Sequence, residues 1–442
     1  MKALGWLVLT LATTAHAQPD LTRGAPEPDH SAHWKRMLVE IAGVAGVGEA
    51  YYYRGDGRAS AGDWQLPGTW SALGGKLTGD GIRFDSNGYA TNAFKHPILF
   101  GAAVHVLARE NGYSLAGSFL ISSAVSLGWE FVGEWREYAS INDLATTSPA
   151  GTPVGESVYQ IAHHLGRTHF EVHGGVGRVG EVSFRTFGAS AELDTIPHRG
   201  ETADISGTIR EGKKVRLSLE VPFDHATRAI DFRSRTSLYG YYRNHVDEQG
   251  SGYNLFAGLA AGYDYLQKMD RPDWQWDLLA NVQVGPTVDL DLYSRGVTLR
   301  TGLDVTGDFA MVKSYAYGTW RAAHPMAVVQ GVLQDNPHYY YYAGGLSLAP
   351  RIAIDYRGLG AGATFAGSTF SSLDGHDRDA ELETAHIHLR DSDRVATAWL
   401  GARAAGLTLR VVGSEERRAG RIGMAQDATT ERTLVVSLGY TN

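Results

Sequence analysis

Between Tyr253 and Tyr265 two kinds of residue alternate for thirteen positions without a break. One face carries Tyr253, Leu255, Ala257, Leu259, Ala261, Tyr263 and Tyr265. The other carries Asn254, Phe256, Gly258, Ala260, Gly262 and Asp264. Successive side chains of a strand point to opposite faces, so this period of two specifies a strand with one apolar and one small or polar side. Three further runs repeat it: Trp276–Asp291, Val297–Met311 and Tyr340–Arg357. All are longer than the usual ~5–6 residues of soluble strands. They suit a tilted membrane-spanning strand, which needs ~9–11 residues, an apolar outside, a polar inside and aromatic ends. A soluble sandwich also alternates, but tyrosines at both ends of the apolar face and charges on the other face favour a barrel. Pro286 and Pro350 each remove a ladder hydrogen bond, so bulges or strand ends are expected there.

Shorter runs of the same period lie near Thr168–Val176, Val182–Leu193, Ile205–Arg210, Val215–Val221, Phe232–Arg243, Gly360–Phe370, Ala385–Arg390, Val395–Arg403, Leu407–Val412 and Thr433–Tyr440. Some are halves of one strand. Bacterial single-chain barrels use even numbers, and the expectation is a transmembrane antiparallel β-barrel of about twelve strands, with ten or fourteen as alternatives, spanning 166–442. Composition agrees. Glycine supplies 54 of 442 residues, and 32 of the 46 aromatic residues are Trp or Tyr (10 + 22 of 10 + 22 + 14), the types that favour a membrane–water boundary. No cysteine is present, which excludes disulfides, thiolate metal sites and a cysteine nucleophile. A net charge of −8 argues against a nucleic-acid surface.

Lys2, the apolar run Leu4–Leu11 and Ala15-His16-Ala17 read as a cleavable secretory signal peptide over 1–17. From 18 to 165 the pattern is mainly helical. Helices are expected at Trp34–Tyr53, Phe94–Glu110, Ser114–Glu137 and Pro153–Leu165, with a loop from the first to about Tyr89. Leu115–Val132 approaches the ~18–20 residues of a bilayer span. Its serines and Glu130 point instead to burial within a domain or a barrel lumen.

The helical segment holds the chemistry-bearing residues. Glu130, Glu134 and Glu137 fall at i, i+4 and i+7, one stripe of a continuous helix. His105 and Arg109 share a face of the preceding helix, so an Arg109–Glu130 or Arg109–Glu134 ion pair is expected between the two. Ser140-Ile141-Asn142-Asp143-Leu144 suits a helix cap or loop clamp. Glu156, Gln160, His163 and His164 lie on one side of the last helix. His96, His105, Arg109, Glu130, Glu134, Asp143, Glu156 and His163 are therefore the candidate site residues. The helix that carries Glu130 lacks the Glu-x-x-His di-iron signature, and neither a calcium loop nor a Gly-x-Ser-x-Gly elbow is present, so neither metal nor cofactor is expected. In the barrel half, Asp277, Asp289, Asp291, Asp304, Asp308 and Asp355 are expected to pair with Arg300, Arg351 and Arg357 inside the lumen.

Asn92, His96-Pro97, Ala108-Arg109, Asn111-Gly112, Ser118, Ser126, Trp129-Glu130, Glu134, the Ser140–Leu144 run and Gly155-Glu156 together resemble a family of exported Gram-negative proteins known as a domain of unknown function. The resemblance covers Gly79 to His164 and implies kinship, export and outer-membrane association. The expected protein is an outer-membrane barrel whose helical segment plugs the lumen or caps its periplasmic mouth, serving binding, transport or envelope structure. Its expected partners are outer-membrane lipid, the barrel-assembly machinery and a small polar solute or lipid ligand. The alternative is an enzyme acting on envelope lipid or glycan through His96 or His105 with Glu130, Glu134 and Asp143. A surface-adhesion barrel would use Met311–Pro337 as an exposed loop.

Overall fold

A computed structural model describes residues 31–54, 70–84, 87–134, 137–196, 203–209, 211–222, 229–270, 275–324, 340–373 and 388–440. Positions 1–17, read as a signal peptide, lie outside them. Among the described residues twelve strands close into an antiparallel barrel: β1 (His169–Val179), β2 (Val182–Asp194), β3 in two parts (Ala203–Ile209 and Lys214–Pro222), β4 (Ala229–Val246), β5 (Gly252–Asp270), β6 (Gln275–Ser294), β7 (Val297–Val312), β8 (Tyr341–Tyr356), β9 (Leu359–Ser372), β10 (Leu389–Ala404), β11 (Leu407–Ile422) and β12 (Ala425–Tyr440). Each strand pairs with its predecessor, and β12 returns to β1 with Tyr440 opposite Phe170. The two parts of β3 are one interrupted strand. Ala203 faces Val246 and Val215 faces Thr236, both on β4.

Two-residue turns join several neighbours at one end. Arg295-Gly296, Arg357-Gly358 and Ala405-Gly406 all have positive φ at both residues, the conformation that matches the twist of a tight hairpin. The prolines do not produce bulges or ends. Pro286 and Pro350 sit mid-strand in unbroken register, opposite Leu259 and Leu303, and the ladder lapses only toward the other neighbour. In an antiparallel strand each residue bonds one neighbour and not the other, so a proline loses bonding on a single side. The register instead shifts between Ser237 and Tyr239 of β4.

Strict alternation fixes the two faces. Leu259, Val284, Leu303, Leu346, Leu409 and Leu438 are exposed on the outside. The charges point inward. Arg235 on β4 reaches Asp304 on β7, three strands along the wall, at 3.1 Å, which is possible only across the interior. Arg351 joins Asp304 (3.1 Å) and Asp289, Asp289 also holds Lys214, and Arg300 pairs with Asp355 at 2.6 Å. The end of the lumen opposite the Arg295-Gly296, Arg357-Gly358 and Ala405-Gly406 turns holds a helix.

The N-terminal segment folds as α1 (Trp34–Arg54), α2 (Trp70–Thr78), a π-helical stretch Thr91–Gly101 running into α3 (Ala102–Glu110), α4 (Leu115–Gly128) with a π turn Trp129–Gly133, and α5 (Ile141–His163). After β7 comes α6 (Tyr317–Ala323). Among the described residues α6 is the helical element inside the barrel. Tyr317 and Trp320 are buried against Leu266, Leu279, Tyr341, Phe370 and Ile422. The part of Met311–Pro337 read as an exposed loop is thus turned inward as far as it is described; 325–337 lie outside the described residues.

The N-terminal helices take a different seat from the expected plug or cap. Ala93, Ala150 and Val154 pack on Tyr263, Leu278, Ala280, Val282, Met311 and Tyr342. Those wall residues share alternation parity with exposed Leu259, Val284 and Leu346, so the helices rest on the outer wall. α5 lies across the strands. Val282, Tyr263, Ser234, Leu217 and Ala191 are direct partners on β6, β5, β4, β3 and β2. Along this row Ser234 Oγ donates to Pro153 O at 2.7 Å, Ser157 and Ser234 hydroxyls meet at 3.1 Å, and Ile161 packs on Leu193 and Val215. At the level of α5 the inward face carries ion pairs, and its apolar patch nearer the other end is taken by α6. The outer wall offers the apolar seat.

Two helix boundaries also differ from expectation. The segment read as loop before Tyr89 contains α2, and α5 begins at Ile141 instead of Pro153 because Ser140 caps it. Pro149 and Pro153 are held inside α5 despite their missing N–H groups. α4 inverts the expected burial: Ser118, Ser122, Ser126 and Glu130 are buried, while Leu120, Leu127 and Val132 are exposed.

Candidate functional site

α3 and α5 cross closely. A Cβ on Gly155 would lie 2.8 Å from Ala102 O, and Gly101 and Gly151 meet with even less room. This approach brings the polar face of α3, His105 and Arg109 four residues apart, onto Glu156 and Gln160, one turn apart on α5. Glu156 Oε2 lies 3.1 Å from His105 Nε2 and 3.0 Å from Arg109 Nε. Glu156 Oε1 accepts from Gln160 Nε2 at 2.7 Å. Arg109 donates to Tyr113 O at 2.8 Å, lies over the Tyr159 ring at 4.4 Å, and approaches Glu211 Oε2 at 3.5 Å. Glu211 belongs to the interruption of β3, so the cluster links helices to wall. His105 and Glu156 are wholly buried and Arg109 nearly so. One carboxylate compensates one guanidinium away from water, which is how a buried charge persists. His105, Arg109 and Glu156 are shut off from solvent, and their contacts tie α3 to α5 and, through Glu211, to the wall.

Arg109 therefore does not pair with Glu130 or Glu134. The reason is that the helix carrying them stops early. Lys76 of α2 is wholly buried and donates to the carbonyl oxygens of Glu130 and Glu134, the latter at 2.8 Å, satisfying the end of the π turn. Glu134 leaves the helix and accepts from Trp129 Nε1 at 2.9 Å, and the expected three-carboxylate stripe does not form. Glu130 Oε2 instead accepts from Ser140 N at 2.7 Å.

Ser140 starts a second cluster. Its hydroxyl accepts from Asp143 N at 3.1 Å, capping α5. Asp143 Oδ1 lies 2.8 Å from His96 Nδ1 and accepts from Asn142 Nδ2 at 3.2 Å. Asp143 is buried, whereas the His96 side chain is 20% exposed. Ser140→Ala is expected to cost about 1 kcal/mol through the lost cap, read as a lower midpoint of the helical circular-dichroism signal. His163 stands apart, paired with Glu110 at 2.8 Å on the surface.

The eight candidates thus divide into His105/Arg109/Glu156, His96/Asp143 with Glu130 behind it, and Glu134 and His163 apart. Lys76, Tyr159 and Glu211 escaped the sequence reading. Glu211 alone had a signal, in the charged run Glu211–Lys214 between two alternating segments.

A separate feature lies in the lumen near the two-residue turns. A small pocket of about 20 Å³ is lined by Lys214, Tyr242, Asn244, Asn254, Asp289 and Asp291 among others.

Comparison with known proteins gives matches to barrels. The NanC porin covers 62% of this chain and 100% of its own at 9% identity (TM-score 0.29). The translocator domain of the autotransporter NalP from Neisseria meningitidis covers 63% and 90% at 11% identity (TM-score 0.27). Omp33 of Acinetobacter baumannii covers 63% and 99% at 8% identity (TM-score 0.23). No curated protein matches the chain. Residues 81–182, which run from after α2 through α5 and β1, match a family described as Domain of unknown function (DUF3943).

Proposed function

We propose that the protein is an outer-membrane barrel that admits a small polar solute to its lumen and passes it when α6 withdraws. The observation that carries this reading is the asymmetry of the lumen. A small pocket touched by Lys214, Asn244, Asn254, Asp289 and Asp291 lies near the Arg295-Gly296 end, charges of both signs line the middle, and Tyr317 and Trp320 of α6 pack inside the opposite end. Charged and polar linings suit water-filled paths, and a helix anchored by two aromatic residues is a detachable closure. Export by a signal peptide and insertion by the barrel-assembly machinery belong to the same reading.

The test is conductance in planar bilayers. The intact chain is expected to be silent or to flicker. Replacing Tyr317–Ala323 by a short Gly-Ser linker is expected to give sustained conductance. A folded, heat-modifiable deletion variant that stays silent, or an intact chain that already conducts as openly, overturns the reading.

One observation favours a second reading, modification of envelope lipid or glycan. Asp143 holds the partly exposed His96 by its Nδ1, the arrangement in which a carboxylate orients a general base. Purified protein incubated with outer-membrane lipid and lipopolysaccharide should then alter their mass spectra, and His96→Gln should abolish the change while the barrel stays folded. Unchanged spectra across that panel remove it.

A further inference from the structure

We infer that the N-terminal helical segment is immersed in the bilayer beside the barrel, with acyl chains covering the outer faces of α4 and α1. The inference begins with α4, which is built inside out. Ser118, Ser122, Ser126 and Glu130 recur every four residues, and this polar stripe is the buried one. Ser122 Oγ donates to Gly101 O at 3.2 Å and meets Ser148 Oγ at 3.1 Å, and Glu130 holds Ser140 N. The exposed stripe is Leu120, Leu127 and Val132. A helix at a water boundary buries its apolar stripe. In lipid the driving force between apolar surfaces vanishes, and small and hydroxyl side chains hold helices together instead.

Length and neighbours agree. Leu115–Gly133 is 19 residues with mean hydropathy 1.4, and 28% of its most apolar window is buried. At ~1.5 Å per residue that is roughly the thickness of the hydrocarbon core. α1 likewise exposes Leu38, Val39 and Val47. The continuity of surface is what names the occupant. α5 straps this segment across the barrel wall, and the wall stays apolar and exposed on both sides of the strap, at Phe187 and Leu219 toward one end and Leu259 and Val284 toward the other. A segment seated in the middle of an apolar belt shares the solvent of that belt. Full pairing of Glu156 and Arg109 between helices and wall is what immersion requires of charges.

The absence of cysteine in the native chain makes a clean test available. Single Leu120→Cys, Leu127→Cys, Leu348→Cys and Met424→Cys variants of the full chain, spin-labelled in phosphatidylcholine vesicles, would be compared for access by oxygen and by a water-soluble nickel chelate. Leu348 marks the barrel belt and Met424 an exposed turn. The expected result is that positions 120 and 127 follow 348, open to oxygen and closed to nickel. Nickel access equal to that at 424, or exclusion of both probes, overturns the inference. If 348 itself follows 424, the membrane-barrel reading falls with it; if 348 is lipid-facing and the α4 positions are not, only immersion fails. Heat-modifiable migration of each variant confirms folding.

Discussion

Glu156→Ala is expected to loosen the helical segment from the barrel wall by about 3–5 kcal/mol, the range for removing one partner of a buried ion pair. The substitution leaves the Arg109 guanidinium and His105 Nε2 without the carboxylate that lies 3.0 and 3.1 Å away, in a site sealed from water. Tyr113 O and the Tyr159 ring still hold Arg109 without countercharge, and the remaining carboxylate, Glu211, stands farther off at 3.5 Å, which places the expected loss at the lower end of that range. The measurement is amide hydrogen exchange in α3 and α5 of the folded protein in micelles. Faster exchange there, with the barrel strands unchanged, is the expected pattern. Glu156→Gln keeps the shape and one acceptor and should fall between. Wild-type exchange in both variants would show that the cluster does not hold the interface.

Gly151→Leu is expected to be as severe, about 3 kcal/mol or more, because overpacking here meets backbone and not the yielding end of a side chain. Gly101 and Gly151 are in mutual contact, and Gly155 abuts Ala102 O. Any branched group at 151 drives α3 from α5 and so pulls Glu156 off His105 and Arg109. A matched control is Gly74→Ala in α2, where nothing lies within 4 Å of the added carbon. That change should be stabilising by about 0.5–1 kcal/mol, the helical gain of Ala over Gly. Thermal midpoints of the helical signal would move in opposite directions for the two variants. Equal midpoints would mean that the close crossing contributes nothing.

These residues also mark what was legible in the sequence. The barrel was, because a period of two assigns every side chain to a face and one slip would reverse them all. Leu255, Leu259 and Val288 could be placed outside, and Asp289 and Asp304 inside, before any fold was known. The interior of the helical segment was harder. Its last three carboxylates look like one stripe only while the helix continues, and what ends the helix is Lys76, more than fifty residues earlier. Arg109 has three acidic residues within plausible reach of a helix pair, and the Gly101–Gly151 contact, not spacing along either helix, selects Glu156. In α4 the pattern gives two faces but not which turns inward. The Ser122 partners on other helices decide that.

The crossing of α5 over five strands bears on how the molecule assembles. Its seat is a row of residues, Ala191, Leu217, Ser234, Tyr263 and Val282, drawn from five separate strands. No two of them adjoin in the chain, so the seat does not exist until β2 to β6 stand in register. The helix is made before all of those strands and is seated after them. Once seated it binds the strands as a hoop binds staves: sliding any one against its neighbour shears the whole row beneath the helix at once.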